Sequence, residues 1–142
     1  MKIADVVRTK GTAVVTIAPG ATVKQLIDSL AEHNIGAIVV SSDGHHIDGI
    51  VSERDVVRRL ASMGPSVLEA TVEQIMTAEV KTATLDDPLE DTAATMTYAR
   101  IRHLPVVAEG ELRALVSIGD VVKFRIEQLT DERNQLIDYL HA

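Results

Sequence analysis

Val14 to Val40 reads VVTIAPGATVKQLIDSLAEHNIGAIVV, and Val80 to Val106 reads VKTATLDDPLEDTAATMTYARIRHLPV; the two align without gaps at an offset of 66 residues, from Val14 to Val80. One residue is then lost, and GIVSERDVV at Gly49 to Val57 faces ALVSIGDVV at Ala114 to Val122 at an offset of 65, from Gly49 to Ala114. Identity is sparse, but the order holds: a strand, an amphipathic helix, two strands joined by a tight loop, then a second helix. A unit this short buries little surface alone, so the two copies are expected to pack against each other. A cleft between related halves is the first place to look for a small ligand.

Outward from the repeats, Met1 to Arg8 reads as a short helical turn leading in. Ala13 to Ile17 reads as a strand, and Pro19-Gly20 as the turn after it. Thr22 is a good N-cap for a helix whose apolar stripe is Val23, Leu26, Ile27 and Leu30. Ala37 to Val40 is a run suited to a strand buried on both faces. The expected organisation is a first repeat over 8–62, a connector over 63–78 with a helical piece at Thr71 to Met76, a second repeat over 79–128, and a C-terminal helical extension over 129–142. Val122, Ile126, Leu129, Leu136, Ile137 and Leu140 keep a helical period, with Asp131 a possible break.

With 142 residues and 46% hydrophobic content, an ordinary core is expected, and it must be aliphatic because Tyr98, Phe124 and Tyr139 are the only aromatics. A net charge of −7 argues against nucleic acid, which needs clustered positive charge. The absence of cysteine excludes thiol chemistry and cysteine-ligated zinc. No apolar run approaches the roughly 20 residues that span a bilayer, and the charged start MKIADVVRTKGTAVV does not read as a secretory signal. Cytoplasmic localisation without membrane partners is the expectation.

An apolar strand runs into Ser-x-x-Asp twice, at Ser52 to Asp55 and Ser117 to Asp120. This spacing suits a capping box at a helix start. It equally suits a ligand site, because free helix amides take phosphate or hydroxyl and a carboxylate accepts two vicinal hydroxyls. Arg100, Arg102 and His103 close the second amphipathic helix, where they favour its negative end or form a phosphate clamp. The dipole reading suits Arg100 and the clamp suits Arg102 and His103, with Arg54 a further phosphate candidate. The His45-His46 pair has no convergent third ligand, so no metal site is expected.

The duplicated β-α-β-β-α pattern, the two Ser-x-x-Asp elements and the segment RIRHLPVV at Arg100 to Val107 resemble a tandem pair of cystathionine β-synthase (CBS) domains, a Bateman module. The likeness runs from about Ala13 to Arg125 and is nearest to stand-alone bacterial CBS-pair proteins. It implies an α+β fold of two repeats packed with pseudo-twofold symmetry around two equivalent clefts, plus the C-terminal extension. It also implies an adenosine-containing ligand in each cleft, with the Asp on the ribose hydroxyls and the Ser near the ribose-phosphate. Carried over by position, one cleft takes Ser117 and Asp120 with Val15, Thr16, Ile35, Gly36 and Ala37. The other takes Ser52 and Asp55 with Lys81, Thr82, Ile101, Arg102 and His103. Gly36-Ala37 stands where the second repeat has Arg102-His103, so the clefts are expected to differ in affinity or ligand.

These residues point to a regulatory module that senses an adenine nucleotide, with no required cofactor. AMP, ADP, ATP and NAD fit the expectation, and S-adenosylmethionine fits less well because the basic junction favours phosphate. A ligand-independent dimerisation scaffold is the alternative. An enzyme is not expected, since no Ser-His-Asp, HExxH, P-loop or GxGxxG pattern occurs. The resemblance implies a homodimer, which the apolar late helix suits, and an effector protein that the residues do not name.

Overall fold

The computed structural model describes residues 1–11 and 13–142. The elements in chain order are α1 (Ile3–Lys10), β1 (Thr16–Ile17), α2 (Val23–His33), β2 (Ala37–Val40), β3 (Gly49–Ser52), α3 (Glu53–Met63), a 3₁₀ segment (Gly64–Glu69), α4 (Val72–Ile75), β4 (Ala83–Thr84), α5 (Leu89–Ala99), β5 (His103–Ala108), β6 (Glu111–Ser117) and α6 (Ile118–His141). The fold is α+β, with two three-stranded sheets ordered β1-β2-β3 and β4-β5-β6. Two compact units result, and each has its own core.

The first-repeat unit comprises Ala13–Lys81 and the hairpin tip Glu109–Arg113. Its β1 runs parallel to β2, pairing Thr16 with Val39, and β2 runs antiparallel to β3, pairing Ala37 with Ser52. Leu26 and Leu30 of α2, Ile38 and Val40 of β2, and Val51 of β3 bury together with Val67, Val72 and Ile75. The last three belong to the expected connector, which is therefore part of this core. At the hairpin tip, the Leu112 amide donates to the His45 carbonyl at 2.7 Å.

The second-repeat unit joins α1 to Thr82–Ala108 and Ala114–Ala142. Ile3, Val6 and Val7 of α1 are buried here with Leu89, Met96, Leu104, Val106, Val116, Val121 and Phe124. An isolated helix of this length is marginal in water, so α1 is held by packing rather than by propensity. What the sequence offered as a lead-in turn is thus a structural helix of the second repeat.

The two lead helices dock alike. The Ile3 amide donates to the Asp87 carbonyl, Ala4 to Leu85 and Leu89 to Met1, while in the other unit Val72 donates to Ala21, Glu73 to Pro19 and Val23 to Ala70. These contacts superpose at an offset of 69 (Lys2 to Thr71) against the repeat offset of 66. Each repeat therefore borrows the helix that precedes the other repeat in sequence.

The copies diverge after that. In the first-repeat unit α4 stops at Ile75, Met76 turns extended, and Thr77 exchanges two 2.9 Å hydrogen bonds with Ile50. Gly49 permits this approach, because a Cβ there would lie 2.5 Å from Met76 Sδ and 2.8 Å from the Thr77 carbonyl oxygen. The second repeat has Ala114 at the matching position, and α1 runs on helically to Lys10. Pro105 has a local effect as well. Lacking an N–H, it makes no counterpart of the Thr16–Val39 pairing, and β4 pairs instead through Ala83–Val106 and Thr84–Val107.

Asp131 does not interrupt the last helix, which is continuous from Ile118 to His141. Aspartate disfavours a helix interior by only a fraction of a kcal/mol, so a single exposed one does not break a helix this long.

Candidate functional site

Both Ser-x-x-Asp elements are closed capping boxes at helix starts. Ser52 precedes α3: its amide donates to Asp55 Oδ2 at 2.8 Å, and the Asp55 amide donates to Ser52 Oγ at 3.4 Å. Ser117 precedes α6 with the same pair of bonds, 2.9 Å from its amide to Asp120 Oδ2 and 3.1 Å from the Asp120 amide to its Oγ. All these contacts on the carboxylates use Oδ2, so Oδ1 of each aspartate takes no part in the box. The capping and ligand readings are chemically compatible: the box fixes the carboxylate, and the remaining oxygen is an acceptor.

Each box is tied to the helix–strand junction of its own repeat. The first amide of α3, Glu53, donates to the Gly36 carbonyl at 3.0 Å, and the first amide of α6, Ile118, donates to the Arg102 carbonyl at 2.8 Å. The junctions have matching backbones, since both preceding helices end on a left-handed residue: Asn34 at φ 52 and Arg100 at φ 56. The first-repeat unit thus brings Gly36 and Ala37 to Ser52 and Asp55. Val15 packs on the core there, Thr16 is half-buried and Ile35 is exposed. Arg54, one residue into α3, is exposed, as is Lys81.

In the second-repeat unit Arg102 and His103 share a neighbourhood with Ser117 and Asp120. Ile101 packs on the core, Arg102 and Thr82 are exposed, and His103 is half-buried as the first residue of β5. Within a unit, then, each junction meets its own repeat's helix start.

One residue of this site escaped the sequence reading. Lys10, the last residue of α1, places its ammonium on Asp120 Oδ2. Partial burial works against the charged form of Asp120, but Lys10 and the Ser117 amide outweigh it and hold the carboxyl below its ordinary value. No local pattern announces a pair 110 residues apart; only the docking of α1 in the second-repeat unit creates it. Asp55 has no ion pair among the described residues: the position matching Lys10 at the offset of 69 is Glu79, which lies beyond the end of α4 and carries the wrong charge. No group of three or more His, Cys, Asp or Glu among the described residues is placed to hold a metal, and no helix among them is long and apolar enough to cross a membrane.

With this geometry in hand, comparison with known proteins is informative. The CBS domain model matches twice, over residues 3–62 and 72–127, so each match opens on a lead helix. The chain is 34% identical over 148 residues to the CBS domain-containing protein CBSX3, mitochondrial, of Arabidopsis thaliana, covering 99% of this chain and 72% of that one. The crystal structure of the CBS-domain containing protein ATU1752 from Agrobacterium tumefaciens matches with a TM-score of 0.85 and 35% identity, over 88% of this chain and 99% of that one. The CBS domain pair of protein MJ0100, solved in complex with 5′-methylthioadenosine and S-adenosyl-L-methionine, shares the fold with a TM-score of 0.77 at 23% identity, over 87% of this chain and 98% of that one.

Proposed function

The chain belongs to the CBS-domain family, carrying two copies in tandem, and from that premise we propose that it is a regulatory module that binds an adenosine-containing ligand. The observation that carries the reading is the repeated helix start. At equivalent places in two repeats, a fixed aspartate keeps one oxygen out of its capping box beside a serine and an amide-rich helix end. That chemistry suits a ribose diol and the phosphate attached to it. The adenosine ligands of the MJ0100 pair support the same class of ligand.

We group Ser117 and Asp120 with Val15, Thr16, Ile35, Gly36 and Ala37 for one ligand, and Ser52 and Asp55 with Lys81, Thr82, Ile101, Arg102 and His103 for the other, as the resemblance implies. The guanidinium of Arg102, the His103 ring and Arg54 are the phosphate donors of the second group. AMP, ADP, ATP and NAD are therefore preferred to S-adenosylmethionine there. The module acts without turnover, in the cytoplasm, and passes its state to an effector protein through a dimer or partner surface. Binding shifts that surface only by the ligand's differential affinity for two states.

Calorimetry with AMP, ATP, NAD and S-adenosylmethionine tests the reading. Arg102→Ala is expected to weaken the ligand that Asp55 holds and to leave the Asp120 ligand unchanged; the reverse result would regroup the halves. A scaffold that dimerises without ligand is the second reading. It is favoured by the exposed apolar side chains Val57, Leu60 and Met63 of α3 and Val122, Ile126 and Leu129 of α6. A dimer that forms at equal strength in ligand-free and ligand-saturated protein, with no ligand heat, would establish that reading instead.

A further inference from the structure

We infer that Lys10 is a specificity-determining residue at the Asp120 site: it makes that site select a phosphate-bearing nucleoside over the bare nucleoside. The inference rests on the adenosine reading above and deepens it. Lys10 ends α1, whose anchor residues Ile3 and Val6 are fully buried, so its backbone is fixed while its side chain is partly exposed. Its ammonium pairs with Asp120, the carboxylate proposed to take the ribose hydroxyls. A nucleoside whose diol takes Oδ1 of Asp120 lies beside that ammonium on Oδ2, and an uncharged one offers it nothing. A 5′-phosphate does, because a lysine ammonium is a compact charge on a flexible four-carbon stem and can turn from carboxylate to phosphate without moving the helix.

Two further observations narrow the role to Lys10 and to this site. Val15, Thr16, Ile35, Gly36, Ala37 and Ser117, the residues proposed to group with Asp120, carry no positive charge, and the same proposal gives Arg102 and His103, which share the unit of Asp120, to the other ligand. The first repeat has no equivalent contact: at the offset of 69 the counterpart of Lys10 is Glu79, an acid, and the chain has already left the helix at Met76 to pair with β3 beside Gly49. The two sites therefore differ in where their phosphate charge comes from: the helix–strand junction for the Asp55 site, and the lead helix for the Asp120 site.

The test is calorimetry with AMP and with adenosine in an Asp55→Asn background, so that the Asp120 site is read alone, with circular dichroism melts confirming the fold of each variant. AMP is expected to bind about tenfold or more tighter than adenosine, as a charge-assisted contact implies. Lys10→Met should collapse that ratio to near unity, and Lys10→Arg should restore most of it. In an Asp120→Asn background, Lys10→Met should leave the ratio at the Asp55 site unchanged. Equal losses for AMP and adenosine in Lys10→Met, or an unchanged ratio, would overturn the inference while leaving the adenosine reading in place. Failure of AMP and adenosine alike to bind the unsubstituted protein would overturn the adenosine reading itself, and this inference with it.

Discussion

Arg100 and Asn34 close equivalent helices in the left-handed region, at φ 56 and 52, yet only asparagine is at ease there. The sequence reading gave Arg100 to the helix dipole; the backbone shows that it also bears a conformational cost. Arg100→Gly is expected to raise stability by about 0.5–1 kcal/mol in urea unfolding, and a loss would show that the side chain's charge matters more than its φ. The His46 ring sits 2.6 Å from Asp43 Oδ2, and this hydrogen bond, with the negative charge of Asp43, raises the His46 pKa. A raised folded-state value means that the pair's contribution is present below the unfolded midpoint of about 6.5 and is lost as pH rises through the folded one. NMR titration should place the His46 midpoint above that of a free imidazole and find it lowered in Asp43→Asn. Asp120 runs the opposite way: its carboxyl is held low, so its contribution is present at neutral pH and lost as acid protonates it.

Between elements, the decisive contacts are those that dock the lead helices. At Gly49 a missing side chain lets the segment after α4 approach β3. Gly49→Ala would put a methyl 2.5 Å from Met76 Sδ and 2.8 Å from a backbone oxygen. A destabilisation of about 1–3 kcal/mol in urea unfolding is expected, and a neutral outcome would mean that the Thr77 bridge relaxes freely. Much at this scale was legible in the residues. The Thr22 cap, the α2 stripe, the buried β2 run and both Ser-x-x-Asp starts depend on neighbours a few positions away, and local chemistry fixes them. The exchange of lead helices was not legible. Ile3, Val6 and Val7 show an apolar face, but nothing in their spacing says which repeat will cover it. Lys10 went unread for the same reason, since its partner is defined by docking and not by sequence distance.

Across the whole chain, duplication with divergence is the organising fact. The family membership and the α+β fold of two three-stranded sheets follow from the repeated pattern, which the CBS domain model matches twice. The copies differ in Gly36-Ala37 against Arg102-His103 at the junctions and in a short α4 against a longer α1 at the leads, and the proposed difference between the two sites rests on these parts. The identity of the proposed ligand was not legible, because any contact made by backbone leaves no mark on side-chain choice. The account is tested most directly by titrating AMP into the unsubstituted protein, Asp120→Ala and Asp55→Ala in parallel. Two binding events are expected, with each variant weakening one of them by about ten- to a hundredfold, the value of a charge-assisted hydrogen-bond pair. Unchanged AMP binding in both variants, with their folds intact, would contradict it.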